Sequence, residues 1–429
     1  MKIYFLLLTF IAFYLNSYSQ DSDNELTGAL NLTSNSKDSL NNNFNFPGIK
    51  KILLPGMSRS QFLDVCAIQW LPLQNADSVW QQAEVNLNKL LKYDEVELFI
   101  QKLAVSEIVK ACESTLLSED GRKIYSLEIG KGPRKIVFTA GIHAREVANT
   151  HFLLKFTSEL VNAYEQREEK VINLLNNYSI LMLPCANPDG YAAAIEGIKV
   201  IQNKELFFAK QINEAIYTAK SNANGVDINR NFPSYSSSVL WDKDQIKSRF
   251  SDREPSLNYF AGFSLGSENE TRVVMNFLMN NIPFAYRFFD LHSAGRLVYA
   301  GKPHLSDEFN SVCTVTGKIV ANHTKYSLLG LRHEESGEGT DGTITDFAAE
   351  IASGFVFNEK LGRLAPANTD SLVRKTEEFP YRCSVNTIET LKTSRKEGYG
   401  LLRTSTPEMQ VSEWSKYKLK ELFIKLITE

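Results

Sequence analysis

The chain has 429 residues, of which 43% are hydrophobic and 23% charged, as in ordinary soluble globular proteins. Its formal net charge is −3 and its Lys and Arg residues are scattered, so the charge indicates neither a nucleic-acid partner nor an anionic membrane surface. The length suits one large domain with an extension, or two domains. The 5 cysteines are widely spaced without a C-x-x-C pair, which excludes a zinc knuckle and a thioredoxin-like motif.

The N-terminus has the three-part layout of a secretory signal peptide. A positive charge at Lys2 precedes an uninterrupted apolar run over residues 3–15, and the small residues Ser17 and Ser19 suit cleavage after Ser19. The apolar run is shorter than the about 20 residues that span a bilayer. We therefore predict a signal peptide over residues 1–19, a secreted or periplasmic protein, and no stable membrane insertion.

The next segments differ in composition. Residues 20–51 are rich in Asn, Ser and Asp and have too little apolar content to form a core, which predicts a low-complexity linker. Residues 52–85 are expected to form an N-terminal extension or the remnant of a pro-segment. The apolar pattern over residues 77–114 predicts a helix. The main domain is expected over residues 86–429.

From residue 122 onward, short apolar runs alternate with stretches of helical period. Strands are predicted within 122–130, 134–142, 176–191, 284–292 and 382–391, and helices within 146–166, 267–281 and 412–429. Strands that alternate with helices favour an α/β fold with a mixed, largely parallel central sheet flanked by helices.

Polar residues stand where several of these strands end. His143 and Glu146 follow one strand, Asn187 follows another, His292 ends a third, and Glu389 lies near the end of a fourth. In such sheets, ligands bind outside the carboxyl ends of the strands. A catalytic zinc takes three protein ligands, which the pair His143-x-x-Glu146 and the distant His292 can supply. The alternatives are ordinary polarity at a strand end for the pair, and a buried core position for His292.

The stretch NANGVDINRNFP, residues 222–233, places Asp227, Asn229 and Arg230 among apolar residues. A guanidinium beside an amide suits two-point capture of a carboxylate. The alternative is a turn in which the Asp and Asn side chains bond their own backbone.

Six short motifs occur in order along the chain: GIHARE, NPDGY, GVDINRNFP, GSENET, DLHSAG and TIET. In this order they resemble the zinc carboxypeptidase family, the carboxypeptidase A-like metallopeptidases, over roughly residues 85–425. The resemblance implies a zinc carboxypeptidase-like three-layer sandwich for the domain over residues 86–429. Each motif alone is a weak signal, and the ordered set carries the resemblance.

The resemblance also implies roles for individual residues. One Zn²⁺ ion is expected to be bound by His143, Glu146 and His292. Glu389 is expected to be the general base. Asp227 matches the position that orients the first histidine, His143, because a ligating imidazole needs a partner for its other nitrogen.

The substrate side of the site follows from the same resemblance. Asn229 and Arg230 are implied to hold the carboxylate of the substrate, and Arg145 to contact the substrate further along the cleft. The implied function is an exported, zinc-dependent metallocarboxypeptidase. This enzyme is expected to hydrolyse the peptide bond at the C-terminal end of a peptide, with metal-activated water and a glutamate base. Independently of the resemblance, we expect a monomer.

Alternative functions use the same residues. The stretch KSNANGVDINRNF, residues 220–232, looks closer to bacterial members that cut γ-D-glutamyl-diaminopimelate bonds, so a peptidoglycan peptide is the other substrate class. A non-catalytic peptide-binding module with the same fold is a second alternative, and a small-molecule deacylase is a third.

Two departures from the family pattern concern the substrate site. The segment before GVDINRNFP lacks the arginine expected to stabilise an oxyanion and offers only Lys204, Lys210 and Lys220. Lys is a point charge rather than a planar fork, so no oxyanion residue is assigned. A tyrosine expected shortly after Asp346 is absent, and an insertion is expected across about residues 355–378.

Overall fold

The computed structural model describes most of the chain from residue 51 onward. The described residues are 51–52, 54–73, 79–211, 216–236, 239–240, 252, 254–302, 304–330, 342–367, 383–391 and 406–429. The described residues group as one compact unit. The predicted signal peptide, the predicted linker up to residue 50, and part of the predicted insertion lie outside the described residues.

Thirteen strands are described. They are β1 Lys51–Ile52, β2 Trp70–Pro72, β3 Val109–Ser114, β4 Tyr125–Ile129, β5 Arg134–Ala140, β6 Tyr178–Leu183, β7 Val239–Leu240, β8 Ala285–Ser293, β9 Leu297–Ala300, β10 Ser327–Leu329, β11 Phe355–Asn358, β12 Arg363–Pro366 and β13 Ser384–Thr390. Nine of them form one sheet in the order β10-β9-β13-β8-β5-β6-β4-β3-β2, and the pairs β1-β7 and β11-β12 form two small sheets.

Ten α-helices are described. They are α1 Arg59–Ala67, α2 Tyr93–Leu103, α3 Val147–Glu165, α4 Glu169–Asn177, α5 Pro188–Glu196, α6 Asn269–Asn281, α7 Asp307–Thr324, α8 Ile344–Ala352, α9 Pro407–Lys416 and α10 Leu419–Thr428. Within the described ranges, none of the helices combines the length and the apolar content that crossing a membrane requires.

The four central strands of the large sheet are parallel, and the strand on either side of them is antiparallel to them. Strands β13, β8, β5 and β6 run in the same direction, whereas β9 and β4 pair antiparallel with β13 and β6. The four central strands therefore end at the same edge of the sheet, after Ala140, Leu183, Ser293 and Thr390. The predicted mixed, largely parallel sheet flanked by helices is confirmed.

Both faces of the sheet are buried at its centre, as strand β5 illustrates. Ile136 and Phe138 point into one apolar cluster, where the Phe138 ring lies 5.5 Å from the ring of Phe423 on α10. Val137, between them, belongs to the cluster on the opposite face with Val274 of α6. Because successive side chains of a strand alternate between faces, an uninterrupted apolar run is what a three-layer sandwich requires.

The prediction of one helix over residues 77–114 is wrong. Helix α2 covers only residues 93–103, and residues 109–114 form strand β3, which pairs antiparallel with β4. Pairing with a neighbouring strand has overridden the local helical pattern. Strand β2 pairs with β3 at the edge of the sheet, and the domain boundary proposed after residue 85 stays a prediction.

Candidate metal centre

The loop that follows β5 carries His143 and Glu146. Gly141 allows the chain to turn here, because its φ is +65° and a Cβ at this position would lie 2.8 Å from the Thr150 Oγ1. The residue Glu146 immediately precedes α3, which begins at Val147. The His143 Nδ1 lies 2.7 Å from the Glu146 Oε1, and both side chains are buried.

The third side chain arrives from the neighbouring strand β8. The His292 Nδ1 lies 3.2 Å from the His143 Nδ1 and 3.1 Å from the Glu146 Oε2. The ligand atoms of the three residues all lie within 4.8 Å of one another. The structure therefore brings together the three residues that the sequence predicts as ligands.

This donor set fits a zinc ion. Tetrahedral zinc with ligand distances of about 2.0–2.2 Å holds its ligand atoms roughly 3.3 Å apart. The distances of 3.2 and 3.1 Å from the His292 Nδ1 are close to that spacing. The Nδ1 atoms of His143 and His292 face each other, and a cation between them could be coordinated by the lone pairs of both. The predicted ligand roles stay predictions that this geometry suits.

The outer nitrogens of both histidines face carboxylates. The His292 Nε2 lies 2.6 Å from the Asp290 Oδ2, and the Thr139 hydroxyl donates to the other Asp290 oxygen at 2.6 Å. The His143 Nε2 lies 3.4 Å from the Asp227 Oδ1, and among the described residues this nitrogen has no hydrogen-bond partner. Both contacts direct the inner nitrogens toward the cluster, and the contact at His292 is much the closer one.

The role of Asp290 is one that the sequence interpretation missed. Asp290 and His292 are two positions apart on β8, so both side chains point to the same face of the sheet. The spacing D-x-H at the end of a predicted strand was the available signal.

The charges of the cluster stabilise one another. Burial opposes ionisation of Glu146, yet the charges of His143 and His292 hold the pKa of Glu146 well below its usual range. Burial also opposes ionisation of Asp227, and the nearby Arg230 and His143 lower the pKa of that carboxyl below its ordinary value. Both carboxylates are therefore ionised at neutral pH, as a ligand and an orienting group must be.

Glu389 lies beside His292 on the adjacent strand. In the parallel register of β13 and β8, the Cα of Glu389 is paired with that of His292. Burial raises the pKa of Glu389 above its ordinary value, although the charge of His292 counteracts the effect. A carboxylate with a raised pKa next to the histidine cluster is suited to accept and return a proton.

Asn229 and Arg230 lie in the 3₁₀ turn Ile228–Arg230. The Asn229 Oδ1 accepts a hydrogen bond of 2.9 Å from the backbone N–H of Ile344, and the Arg230 guanidinium donates to the Asn229 carbonyl at 2.8 Å. Their residual exposures are 6% and 8%. These contacts hold a guanidinium in a largely buried position, where it is suited to bind a carboxylate.

Among the described residues, Arg145 and Lys220 provide two further cations near the cluster. The Arg145 guanidinium donates to the Thr218 carbonyl at 2.9 Å, and the backbone N–H of Ala144 donates to the Lys220 carbonyl at 3.1 Å. The segment that carries Lys220 is therefore fastened to the loop of His143 and Glu146. Lys220 is a second residue of this site that the sequence interpretation did not assign.

The Lys220 ammonium lies 5.1 Å from the centroid of the Tyr259 ring. Among the described residues no carboxylate forms an ion pair with this ammonium. Its positive charge nevertheless attracts the Glu146 carboxylate and counteracts part of the rise that burial causes in the pKa of Glu389. Burial lowers the pKa of Lys220 itself. The position seven residues before Asp227, in the segment where an arginine is expected, was the signal for this lysine.

Not every polar strand end belongs to the cluster. The Asn187 side chain caps helix α5 by accepting from the backbone N–H of Gly190 at 2.9 Å. Asp189, two residues later, pairs with Arg122 at 2.8 Å. Asp346, near the expected tyrosine position, lies in helix α8 and pairs with Lys302 at 2.6 Å.

Sequence comparison places the chain among known proteins. A model of the zinc carboxypeptidase family matches residues 100–362, which is more than half of the 429 residues. Human carboxypeptidase B is 28% identical over 251 residues, covering 56% of this chain and 55% of that protein. The uncharacterized protein YqgT of Bacillus subtilis (strain 168) is 29% identical over 226 residues, covering 50% of this chain and 57% of that protein. The matched segment spans a little more than half the length of these relatives.

Solved structures share the fold. Bovine thrombin-activatable fibrinolysis inhibitor, in complex with tick carboxypeptidase inhibitor, matches with a TM-score of 0.53 and 18% identity over 80% of this chain and 97% of that chain. The carboxypeptidase A from Helicoverpa armigera matches with a TM-score of 0.50 and 18% identity over 82% of this chain and 76% of that chain. The family match contains His143, Glu146 and His292 and ends before Glu389. The chain belongs to the zinc carboxypeptidase family, as its ordered motifs predict.

Proposed function

We propose that this chain is a zinc-dependent metallocarboxypeptidase that removes residues from the C-terminal end of peptides. One observation carries the proposal: in a member of this family, His143, Glu146 and His292 converge at one edge of the sheet beside Glu389. The arrangement combines a zinc donor set with a carboxylate of raised pKa, which is the equipment for hydrolysis of an amide.

The proposed reaction divides the work between the metal and the side chains. His143, Glu146 and His292 would hold a zinc ion, which would lower the pKa of bound water and polarise the scissile carbonyl. Glu389 takes a proton from the attacking water and gives it to the leaving amine. The pKa of Glu389, raised by burial, brings this carboxyl closer to the pH at which it has to exchange a proton.

Binding and charge stabilisation come from the cations around the cluster. Arg230, with the Asn229 side chain, holds the terminal carboxylate so that the last peptide bond meets Glu389. Arg145 contacts the substrate further from the reacting bond. Lys220 places a positive charge where negative charge develops on the carbonyl oxygen, a role in which fixed charges lower reaction barriers.

The test compares peptides that differ only at the C-terminus. Mass spectrometry of a mixed peptide library should show loss of C-terminal residues from free peptides and little loss from their C-terminally amidated counterparts. The variant Glu389→Gln should retain zinc and lose turnover. Cleavage of muropeptides alone would indicate that the substrates are peptidoglycan peptides. A chain that binds library peptides without cleaving any of them would contradict the proposed enzymatic function.

The proposal includes export and a monomeric state. The layout of residues 1–19 supports cleavage after Ser19, and N-terminal sequencing of the chain recovered from culture medium or periplasm should begin at Gln20. An intact Met1 on the accumulated chain would contradict export. Light scattering at several concentrations should give the mass of a single chain, and a concentration-independent dimer would contradict the monomer.

A further inference from the structure

The chain segments that directly follow His292 and Glu389 are held by a residue of helix α9. Gly295, in the turn after β8, donates its N–H to the Leu391 carbonyl at 2.9 Å. The turn after His292 and the chain after Glu389 are therefore in direct contact with each other.

Both segments contain a residue with an unusual backbone conformation. Arg296 has a φ of 55° and Leu391 a φ of 59°. A positive φ is rare for bulky side chains and persists only where the surroundings hold it in place. Two such residues, each just past a strand that carries a site residue, indicate that something fixes this corner of the sheet.

The fixing group is the carboxylate of Glu413, on helix α9. The Arg296 guanidinium donates to the Glu413 Oε2 at 2.9 Å, and the backbone N–H of Leu391 donates to the Glu413 Oε1 at 3.1 Å. The Tyr326 hydroxyl donates to the same carboxylate, and the Arg296 guanidinium also covers the Tyr417 ring at 4.6 Å. Glu413 is only 1% exposed, so these partners take the place of water around its carboxylate.

We infer that Glu413 is a positioning residue for the reaction, which sets Glu389 relative to His292 by fastening the ends of β13 and β8. The inference rests on the proposed function. Without the carboxylate, the backbone N–H of Leu391 loses its hydrogen-bond acceptor and the Arg296 guanidinium loses its ion-pair partner. Both segments can then leave their positive-φ conformations. The relaxation displaces Glu389 from the geometry that proton transfer requires, although Glu413 touches neither substrate nor metal.

The experiment compares Glu413→Ala and Glu413→Gln with the matched control Gln410→Ala. Gln410 lies one turn earlier on α9, is fully buried, and has its carboxamide oxygen 2.7 Å from the His151 Nδ1. Glu413→Ala should lower kcat by about 10- to 100-fold, as for other groups that orient site residues, with KM and zinc content close to wild type. Glu413→Gln should have a higher kcat than Glu413→Ala, because the carboxamide oxygen can still accept a hydrogen bond from the backbone N–H of Leu391. Gln410→Ala should have a lower melting temperature than the wild type and an unchanged kcat.

Two outcomes overturn the inference. One is a kcat for Glu413→Ala within about twofold of that of Gln410→Ala. The other, if the alanine variant fails to fold, is a wild-type kcat for Glu413→Gln. A wild-type chain that binds zinc without hydrolysing peptides rejects the proposed function instead. The inference is then decided by hydrogen exchange of residues 293–297 and 384–391, which should be faster in the Glu413 variants only, and equal rates in all variants would reject it.

Discussion

Replacing Asp290 by Asn is expected to weaken zinc binding while the fold remains intact. Asp290 is fully buried, with one oxygen 2.6 Å from the His292 Nε2 and the other accepting from Thr139. The asparagine keeps the shape and removes the negative charge that favours a proton on the outer nitrogen of His292. The inner nitrogen then loses basicity, and with it affinity for the metal.

The expected magnitude follows from the position of Asp290 next to a ligand. Partners of ligating histidines contribute about 10- to 100-fold in metal affinity, which corresponds to about 1.4–2.7 kcal/mol. Asp227 provides an internal comparison, because its oxygen lies 3.4 Å from the His143 Nε2 rather than 2.6 Å. We therefore expect Asp227→Asn to weaken zinc binding less than Asp290→Asn does.

Competition with a fluorescent chelator measures these affinities directly. The variant Thr139→Val is the control, because it removes a partner of Asp290 and leaves the carboxylate beside His292 in place. Its zinc affinity should be nearer to wild type than that of Asp290→Asn. An unchanged affinity for Asp290→Asn, or a larger loss for Asp227→Asn, would refute the reasoning.

Three further predictions concern the other charges. Lys220→Met should lower kcat by about 10²- to 10³-fold with zinc retained, and an unchanged kcat in steady-state assays would remove Lys220 from the mechanism. Arg230→Gln should lower kcat/KM by about 10- to 100-fold for free peptides and leave any slow cleavage of amidated peptides unaffected; equal losses for both would contradict carboxylate binding. Burial and the neighbouring carboxylates of Asp189, Glu119 and Glu268 raise the pKa of Glu270 well above its ordinary value, so the folded chain keeps a proton that the unfolded chain releases. The free energy of unfolding should therefore fall as the pH rises from the pKa of Glu270 in the unfolded chain toward its pKa in the folded chain. Urea denaturation at about pH 5 and about pH 8 measures this fall, which should be smaller for Glu270→Gln than for the wild type. The same pH dependence in both proteins would refute this assignment.

The parts of the site that could be predicted are those with short-range signals. His143 and Glu146 are three positions apart after an apolar run, and His292 ends another such run. In a sheet with parallel central strands, residues at strand ends meet at one edge whatever their separation along the chain. The ordered motifs identified the family, and the fold class followed from alternating strands and helices.

The parts that could not be predicted depend on long-range contacts. Glu413 reaches Arg296 and Leu391 only because α9 folds back onto the end of β13, and nothing in its local sequence marks it. The error over residues 77–114 has the same origin, since β3 forms by pairing with β4 rather than by local preference. Asp290 differs, because its spacing from His292 was visible and only its significance was overlooked.

The most direct test of the central claim is the zinc content of the purified chain after exhaustive dialysis, measured by elemental mass spectrometry. The account predicts about one zinc ion per chain for the wild type and for Glu389→Gln, and almost none for His292→Ala, because three protein ligands define a catalytic zinc site. A wild-type chain without zinc, or a His292→Ala variant that still holds a full equivalent, would contradict it.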